Sequence, residues 1–245
     1  MDRAQGPAIM NWQEKLNQRI VRCRLCARLV PYRERIGREK KREFRDWDYW
    51  AKPLPSFGNP GAHLLVIGLA PAAHGGNRTG RFFTGDSSGR WLFRALHKAG
   101  FANQPTWQRR DDGLKLIDAY ITAVLHCAPP DNKPLPAEIE CCSVYFDEEF
   151  TRLKSARVVV ALGKIAFDNY LKSLRRRGLV LPKPLPQFAH DRLHELGDGL
   201  PALIASYHPS RQNTNTGKLT EPMFDAVFAR ARRLIDEDNQ PSATT

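Results

Sequence analysis

The segment His63-Leu-Leu-Val-Ile-Gly-Leu-Ala-Pro-Ala-Ala-His-Gly-Gly-Asn-Arg-Thr-Gly-Arg-Phe-Phe-Thr-Gly-Asp86 decides how the chain is read. A short apolar run stops at Gly68, and a polar loop follows it until an amphipathic segment begins. Glycines at 68, 75, 76, 80 and 85 open backbone geometry closed to other residues and let another molecule come close. His74, Asn77, Arg78, Arg81, Thr84 and Asp86 supply polar chemistry, and Phe82 and Phe83 offer flat apolar faces. A plain Gly-rich connection has little reason to combine these groups so densely, so the loop reads as a binding element.

Working outward, the same strand-to-loop step recurs. An apolar, β-branched strand over 119–125 runs into His126-Cys-Ala-Pro-Pro-Asp-Asn132, and another over 157–162 leads through Gly163 into a helix to about residue 175. A fourth strand over 201–206 runs into Tyr207-His-Pro-Ser-Arg-Gln-Asn-Thr-Asn-Thr-Gly217. Between them, Ser87 or Ser88 caps a helix that Gly100 ends, and Pro136 and Glu138 open a helix reaching Lys154. A helix from Asn11 carries Trp12, Leu16 and Ile20, with Cys23-Arg-Leu-Cys26 in its last turns. The last helix starts near Thr220. Short apolar strands alternating with helices predict an α/β fold, a parallel sheet covered on both faces. In such a sheet, binding loops gather beyond the C-terminal strand ends, which brings the loops at Gly68, His126 and Tyr207 together. One domain over 11–238 is expected, with residues 1–10 and 239–245 as flexible ends.

The 245 residues carry 38 Lys and Arg against 26 Asp and Glu, a formal charge of +12 that favours a polyanionic partner, nucleic acid first. The densest basic run, 33–45, is followed by Trp47, Tyr49 and Trp50. It reads either as a solvated charged helix or as a nucleic-acid surface with rings for stacking. No stretch approaches the roughly 20 apolar residues that span a bilayer, and no apolar leader is evident. An intracellular, cytoplasmic protein is the expectation, and in that setting cysteines more often bind metal or do chemistry than form disulfides. The five are Cys23, Cys26, Cys127, Cys141 and Cys142. By spacing alone, iron–sulfur and zinc stand level, with inert thiols a third reading.

Gly68 to Arg81, then Phe83-Thr-Gly-Asp86, and later His208-Pro-Ser-Arg-Gln-Asn213 closely resemble the two signatures of the type 5 uracil-DNA glycosylases. The likeness runs from the Cys-x-x-Cys to the final helix. It implies a three-layer α/β/α domain with a central four-stranded parallel sheet, uracil-DNA glycosylase-like. The implied protein is a monomeric DNA-repair enzyme that excises uracil, and other deaminated bases such as hypoxanthine, from DNA. It also implies a 4Fe-4S cluster on Cys23, Cys26, Cys127 and one of the adjacent pair. By similarity to the type 4 enzymes, whose last ligand follows a proline and an acidic residue, Pro136 and Glu138 select Cys142.

The resemblance also assigns site residues. Excision needs the base flipped out of the duplex into a pocket. Phe83 matches the stacking position and His208 the histidine facing the base carbonyl, an oxyanion-type contact typically worth about 3 kcal/mol. The positions where relatives carry an acid or Asn in the first signature hold Leu69 and Ala70 here. The carboxylate role therefore falls to Asp86, whose other reading is a helix N-terminal acid. Asn132 is a second candidate for holding water or the sugar. Gly68, Ala70, His74, Asn77 and Arg78 are expected to line the pocket or read the base, and Ala70 suggests a roomy one. The second strand offers Thr122 and Ala123 where related enzymes read uracil with Asn. Ser88, Ser210 and Arg211, with Thr214 and Thr216, suit phosphate contacts. The rival reading is a non-catalytic iron–sulfur or zinc nucleic-acid-binding module. A nucleotide-dependent enzyme is disfavoured because neither common phosphate-loop pattern occurs.

Overall fold

A computed structural model describes residues 10–197 and 199–238. The flexible ends expected at the termini lie outside these residues, apart from Met10.

Four five-residue strands form the centre: β2 (Leu64–Gly68), β3 (Ala119–Ala123), β4 (Val158–Leu162) and β6 (Ala202–Ser206). They pair in parallel in the order β3-β2-β4-β6. Two short strands extend this core to six, each antiparallel to its neighbour: β1 (Phe57–Gly58) on β3 and β5 (Arg192–His194) on β6. The parallel four-stranded sheet is therefore the core of a mixed six-stranded one. Register runs straight across it, with Val66 opposite both Ile121 and Val160, and Val160 opposite Ile204.

Successive side chains of the inner strands leave opposite faces, and both faces are buried. Leu64, Val66, Ile121, Val160 and Ile204 pack under α4 (Ser87–Lys98) and α8 (Glu221–Asp238) through Leu92, Phe93, Leu96, Phe224 and Phe228. Leu65, Ile67, Tyr120, Val159 and Leu203 pack under α5 (Pro136–Arg152) and α6 (Lys164–Arg176) through Phe146, Phe150, Phe167 and Tyr170. A third, smaller core joins α1 (Trp12–Val21) and the start of α2 (Leu29–Glu39) to Leu125, Cys127, Cys142 and Tyr145.

The Cys-x-x-Cys does not lie inside a helix. The backbone N–H of Cys23 bonds to Ile20 O at 2.9 Å, tightening and ending α1, so both thiols sit in the α1–α2 connection. Two further helices fall where the sequence reads as loop. α3 (Gly76–Thr79) lies within the Gly68–Asp86 loop, and α7 (Arg211–Asn215) within the loop after β6. Each is too short to show a 3.6-residue apolar period.

Glu149 of α5 is fully buried against β3, accepting hydrogen bonds from Tyr120 Oη at 2.8 Å and from Thr122 Oγ1. Ser56 Oγ donates in turn to Thr122 Oγ1 at 3.0 Å. Thr122 thus serves the sheet–helix junction. Replacing Glu149 by Ala would strand two buried hydroxyls beside a cavity, and urea unfolding is expected to show a loss of about 3 kcal/mol.

Candidate active site

All four parallel strands point their C-terminal ends at one cleft of about 910 Å³. Its wall takes Gly68 and Ala70 from the end of β2, Ala123 from β3, Gly163 from β4 and His208 from just beyond β6. This gathering is the expected behaviour of strand-end loops in an open α/β sheet. Ala123, not Thr122, is the β3 residue that reaches it.

Phe83 forms the floor. The ring lies so close over the end of β2 that a Cβ on Gly68 would meet its Cζ at 2.7 Å. Phe83 itself adopts φ 54°, a left-handed geometry costly for an aromatic residue. Its ring stacks beside His208, with centroids 5.9 Å apart and planes 29° from parallel. Removal from solvent pushes the His208 imidazole down to about 4, so it is neutral near pH 7.

Asp86 borders the cleft and is also the N-cap of α4, its Oδ1 accepting from Gly89 N at 3.2 Å. The helix N-terminal reading of this residue is therefore what the structure shows, at a position that also borders the cleft. Burial raises its pKa above the ordinary 3.8, against the pull of the Gly89 and Ser88 N–H groups and the charges of Arg211 and Arg78. A Cβ on Gly75 would meet Asp86 Oδ2 at 2.9 Å, so the loop needs glycine there. Across the cleft, Asn132 sits at φ 56° beside Asp131 at φ 53°. Three left-handed non-glycine residues, Phe83, Asp131 and Asn132, thus border one cavity, the kind of local strain that concentrates at working sites.

His74 is on the wall, with Nδ1 3.1 Å from Tyr49 Oη, which accepts from Lys41 N at 3.4 Å. Burial, then the charges of Lys41 and Arg78, lowers its pKa. Ser88, Ser210 and Arg211 also border the cleft, and Ser210 caps α7 by accepting from Asn213 N. Thr214 and Thr216 do not line it, because their hydroxyls bond back into α7 at Ser210 O and Gln212 O.

Asn77 and Arg78 are the two expected pocket residues that the structure places off the cleft. Asn77 is 1% exposed, its Nδ2 donating to Arg33 O and Ala73 O. Arg78 is 3% exposed and donates to His74 O and Gly85 O. Arg81 is likewise structural, forming a bidentate pair with Asp112 at 2.8 and 3.0 Å. Conversely, Tyr32, Lys41, Glu43, Phe44, Asp131, Lys164 and Gln212 line the cleft without having been singled out as site residues. Lys164 is legible in the sequence, since it follows Gly163 at the C-terminal end of β4. Lys41 to Phe44 belong to the basic run, which is not one solvated helix. α2 ends at Glu39, and the chain turns back across the cleft.

Behind Ala70, the five cysteines border a second, small enclosed space together with Leu29, Arg33, Leu125 and Tyr145. All five thiols are free. Burial and then contact with Cys141 push Cys26 up to about 12, and burial pushes Cys127 up to about 11 against the pull of Arg33. Arg33 is 2% exposed and reaches Cys127 Sγ at 3.6 Å, Cys23 O at 3.4 Å and Ala51 O at 3.3 Å. Among the described residues, no three His, Cys, Asp or Glu side chains are grouped to hold a single metal ion. Nor is any described helix long and apolar enough to cross a membrane.

A cleft at the switch side of a mainly parallel sheet, with a carboxylate and a neutral imidazole on facing loops, defines the class: an α/β enzyme. The family model of the Uracil DNA glycosylase superfamily matches residues 55–232. The type-5 uracil-DNA glycosylase of Thermus thermophilus is 47% identical over 223 residues, 91% of this chain and 98% of the relative. That of Pyrobaculum aerophilum is 41% identical over 231 residues, 94% and 97% of the two chains, and that of Mycobacterium bovis 45% over 221, 90% and 81%. The chain belongs to the uracil-DNA glycosylase superfamily, among the type-5 enzymes.

Capping and the catalytic role expected of Asp86 can be told apart by substitution. Asn caps a helix as well as Asp does and leaves no buried charge. Because the Asp86 pKa is raised, folding disfavours its ionised form, and the stability it lends is lost as pH rises through that pKa. Asp86→Asn is therefore expected to melt at or above the parent temperature at pH 8, while excision falls by about 100-fold or more. The parent rate should rise with pH through a midpoint above 3.8, with no histidine inflection near pH 6.5.

Proposed function

We propose that the chain is a monofunctional uracil-DNA glycosylase of DNA repair, which flips a deaminated base out of DNA and hydrolyses its N-glycosidic bond. The observation that carries this reading is the convergence of Phe83, His208 and Asp86 on one cleft in a chain so similar to enzymes bearing that name.

The base stacks on Phe83 and turns a carbonyl oxygen to His208. As the C1′–N bond breaks, its electron pair leaves with the base, whose growing negative charge is stabilised by an N–H of the neutral imidazole. The sugar becomes cationic at C1′, and the buried Asp86 carboxylate offsets that charge. A water held by Asp86 or Asn132 adds to C1′. Its proton passes to the carboxylate and then to solvent, while the departing base takes up a proton. The products are a free base and an abasic site. Ser88, Ser210 and Arg211 hold flanking phosphates, and the net charge of +12 strengthens that grip.

Ala70 and Ala123 place no polar side chain on the base-facing wall, so a purine finds both room and no unpaired donor to reject it. Hypoxanthine is accordingly a second substrate.

Cys23, Cys26, Cys127 and Cys142 would hold a 4Fe-4S cluster, with Cys141 left over. The support is that thiols from three distant segments border one enclosed space with a buried guanidinium that offsets thiolate charge. Such a cluster supplies a crosslink between the α1–α2 connection, the segment after β3 and α5. An intracellular monomer is the form this reading expects.

Incubation with DNA carrying one uracil, then alkaline cleavage, is expected to yield strand breaks at that position, and hypoxanthine DNA likewise. Absence of cleavage on uracil would refute the enzyme reading, and activity confined to one base would refute the open pocket. Anaerobically purified protein is expected to show the broad visible absorbance of thiolate-bound iron. Cys127→Ser should lose it, and Cys141→Ser should not.

A further inference from the structure

After α2 the chain doubles back, and residues 42–50 lie across the pocket loop. Trp50 N donates to Arg78 O and Ala51 N to Asn77 O, both at 3.0 Å, so this segment is bonded to α3. The Arg78 guanidinium carbon lies 3.8 Å from the Phe44 ring centre and 4.2 Å from that of Trp47. From between these contacts, Nε donates to His74 O at 2.9 Å and Nη2 to Gly85 O at 3.2 Å.

Those two carbonyls lie on either side of α3, in the segments before and after it. These two segments are in near contact, because a Cβ on Gly85 would lie 2.7 Å from Gly75 Cα. Gly85, in a left-handed conformation, is the residue directly before Asp86. A cation buried to 3% exposure and off the cleft wall cannot read a base, yet it is held by two aromatic rings and holds two carbonyls. We propose that Arg78 is a positioning residue: clamped by Phe44 and Trp47, it ties His74 to Gly85 and so fixes the backbone that aims Asp86 into the cleft.

Lysine would not serve equally. It offers a compact ammonium without the planar fork that bonds two carbonyls at once and stacks on rings. Nor is the clamp a general stabiliser of the sheet, for both carbonyls it holds lie in one loop. The proposal rests on the reading in which Asp86 acts in excision.

The test is a double-mutant cycle on single-turnover excision of uracil, with Arg78→Lys, Asp86→Ala and the pair. Arg78→Lys is expected to slow excision about 30-fold, in line with the penalty for a misplaced catalytic group, while DNA affinity stays within about twofold. The pair should be no slower than Asp86→Ala alone, and Arg78→Lys should displace the acid limb of the pH–rate profile. Multiplying losses, or a parental rate in Arg78→Lys beside a slow Asp86→Ala, would overturn the positioning role and leave the Asp86 reading standing. A parental rate in Asp86→Ala would overturn both. Should Arg78→Lys not fold, Trp47→Leu, which keeps the guanidinium and both carbonyls, takes its place in the same cycle with the same expectations.

Discussion

The missing side chain of Gly68 is the constraint on which the site depends. The last residue of β2 must lie flat beneath the Phe83 ring, and a single methyl there would intrude to 2.7 Å of Cζ. With the ring seated, the loop between them has to close on itself, which is why Gly75 and Gly85 meet backbone to backbone. Closure delivers two things at once. Phe83 becomes a floor beside His208, and Asp86 arrives at the rim of the same cleft while capping α4. A residue that caps a helix is held by the helix, so the carboxylate is set by α4 from one side and by the closed loop from the other.

Closing a polar loop over a sheet end buries groups that water would otherwise satisfy, and the chain answers with internal partners. Arg78 takes two carbonyls and two rings, Arg81 takes Asp112, and Asn77 bonds the backbone of α2. Burial alone would raise the Asp112 carboxyl, but the Arg81 guanidinium and nearby N–H groups hold it at about 2. Through Arg33 the same loop is joined to the thiol-lined space. Its carbonyl receives Asn77, and its guanidinium reaches Cys127. The pocket and the cysteines, far apart in sequence, are thus two sides of one polar seam.

Much of this was legible in the sequence. The inner strands are, because each is a short apolar run buried on both faces and followed at once by polar loop residues. The topology rule then brings the loops starting at Gly68, His126 and Tyr207 to one edge without any knowledge of packing, although His126 itself turns away from the cleft toward Leu54 O and the cysteines. The edge strands Phe57–Gly58 and Arg192–His194 are not legible, being too short to show alternation. Within the loop, spacing identifies which residues are near the pocket but not which way they point. Arg78 and Asn77 occupy the same motif as His74 and Asp86, and they face inward because of distant partners, the Phe44 and Trp47 rings over Arg78 and the Arg33 carbonyl at Asn77. The fold-back of residues 42–50 has no local signal, since a run of Arg and Lys with interspersed rings is equally compatible with a solvated helix.

On the proposed function, the cleft beyond β2, β3, β4 and β6 receives a base against Phe83 and His208, with Asp86 at the sugar. The decisive measurement is a crystal structure of the protein with abasic-site DNA and free uracil. The uracil ring is expected to stack on Phe83, with a carbonyl oxygen within hydrogen-bond distance of the His208 imidazole and the abasic C1′ facing Asp86. Uracil lying elsewhere, or a C1′ remote from Asp86 with another group in its place, would contradict it.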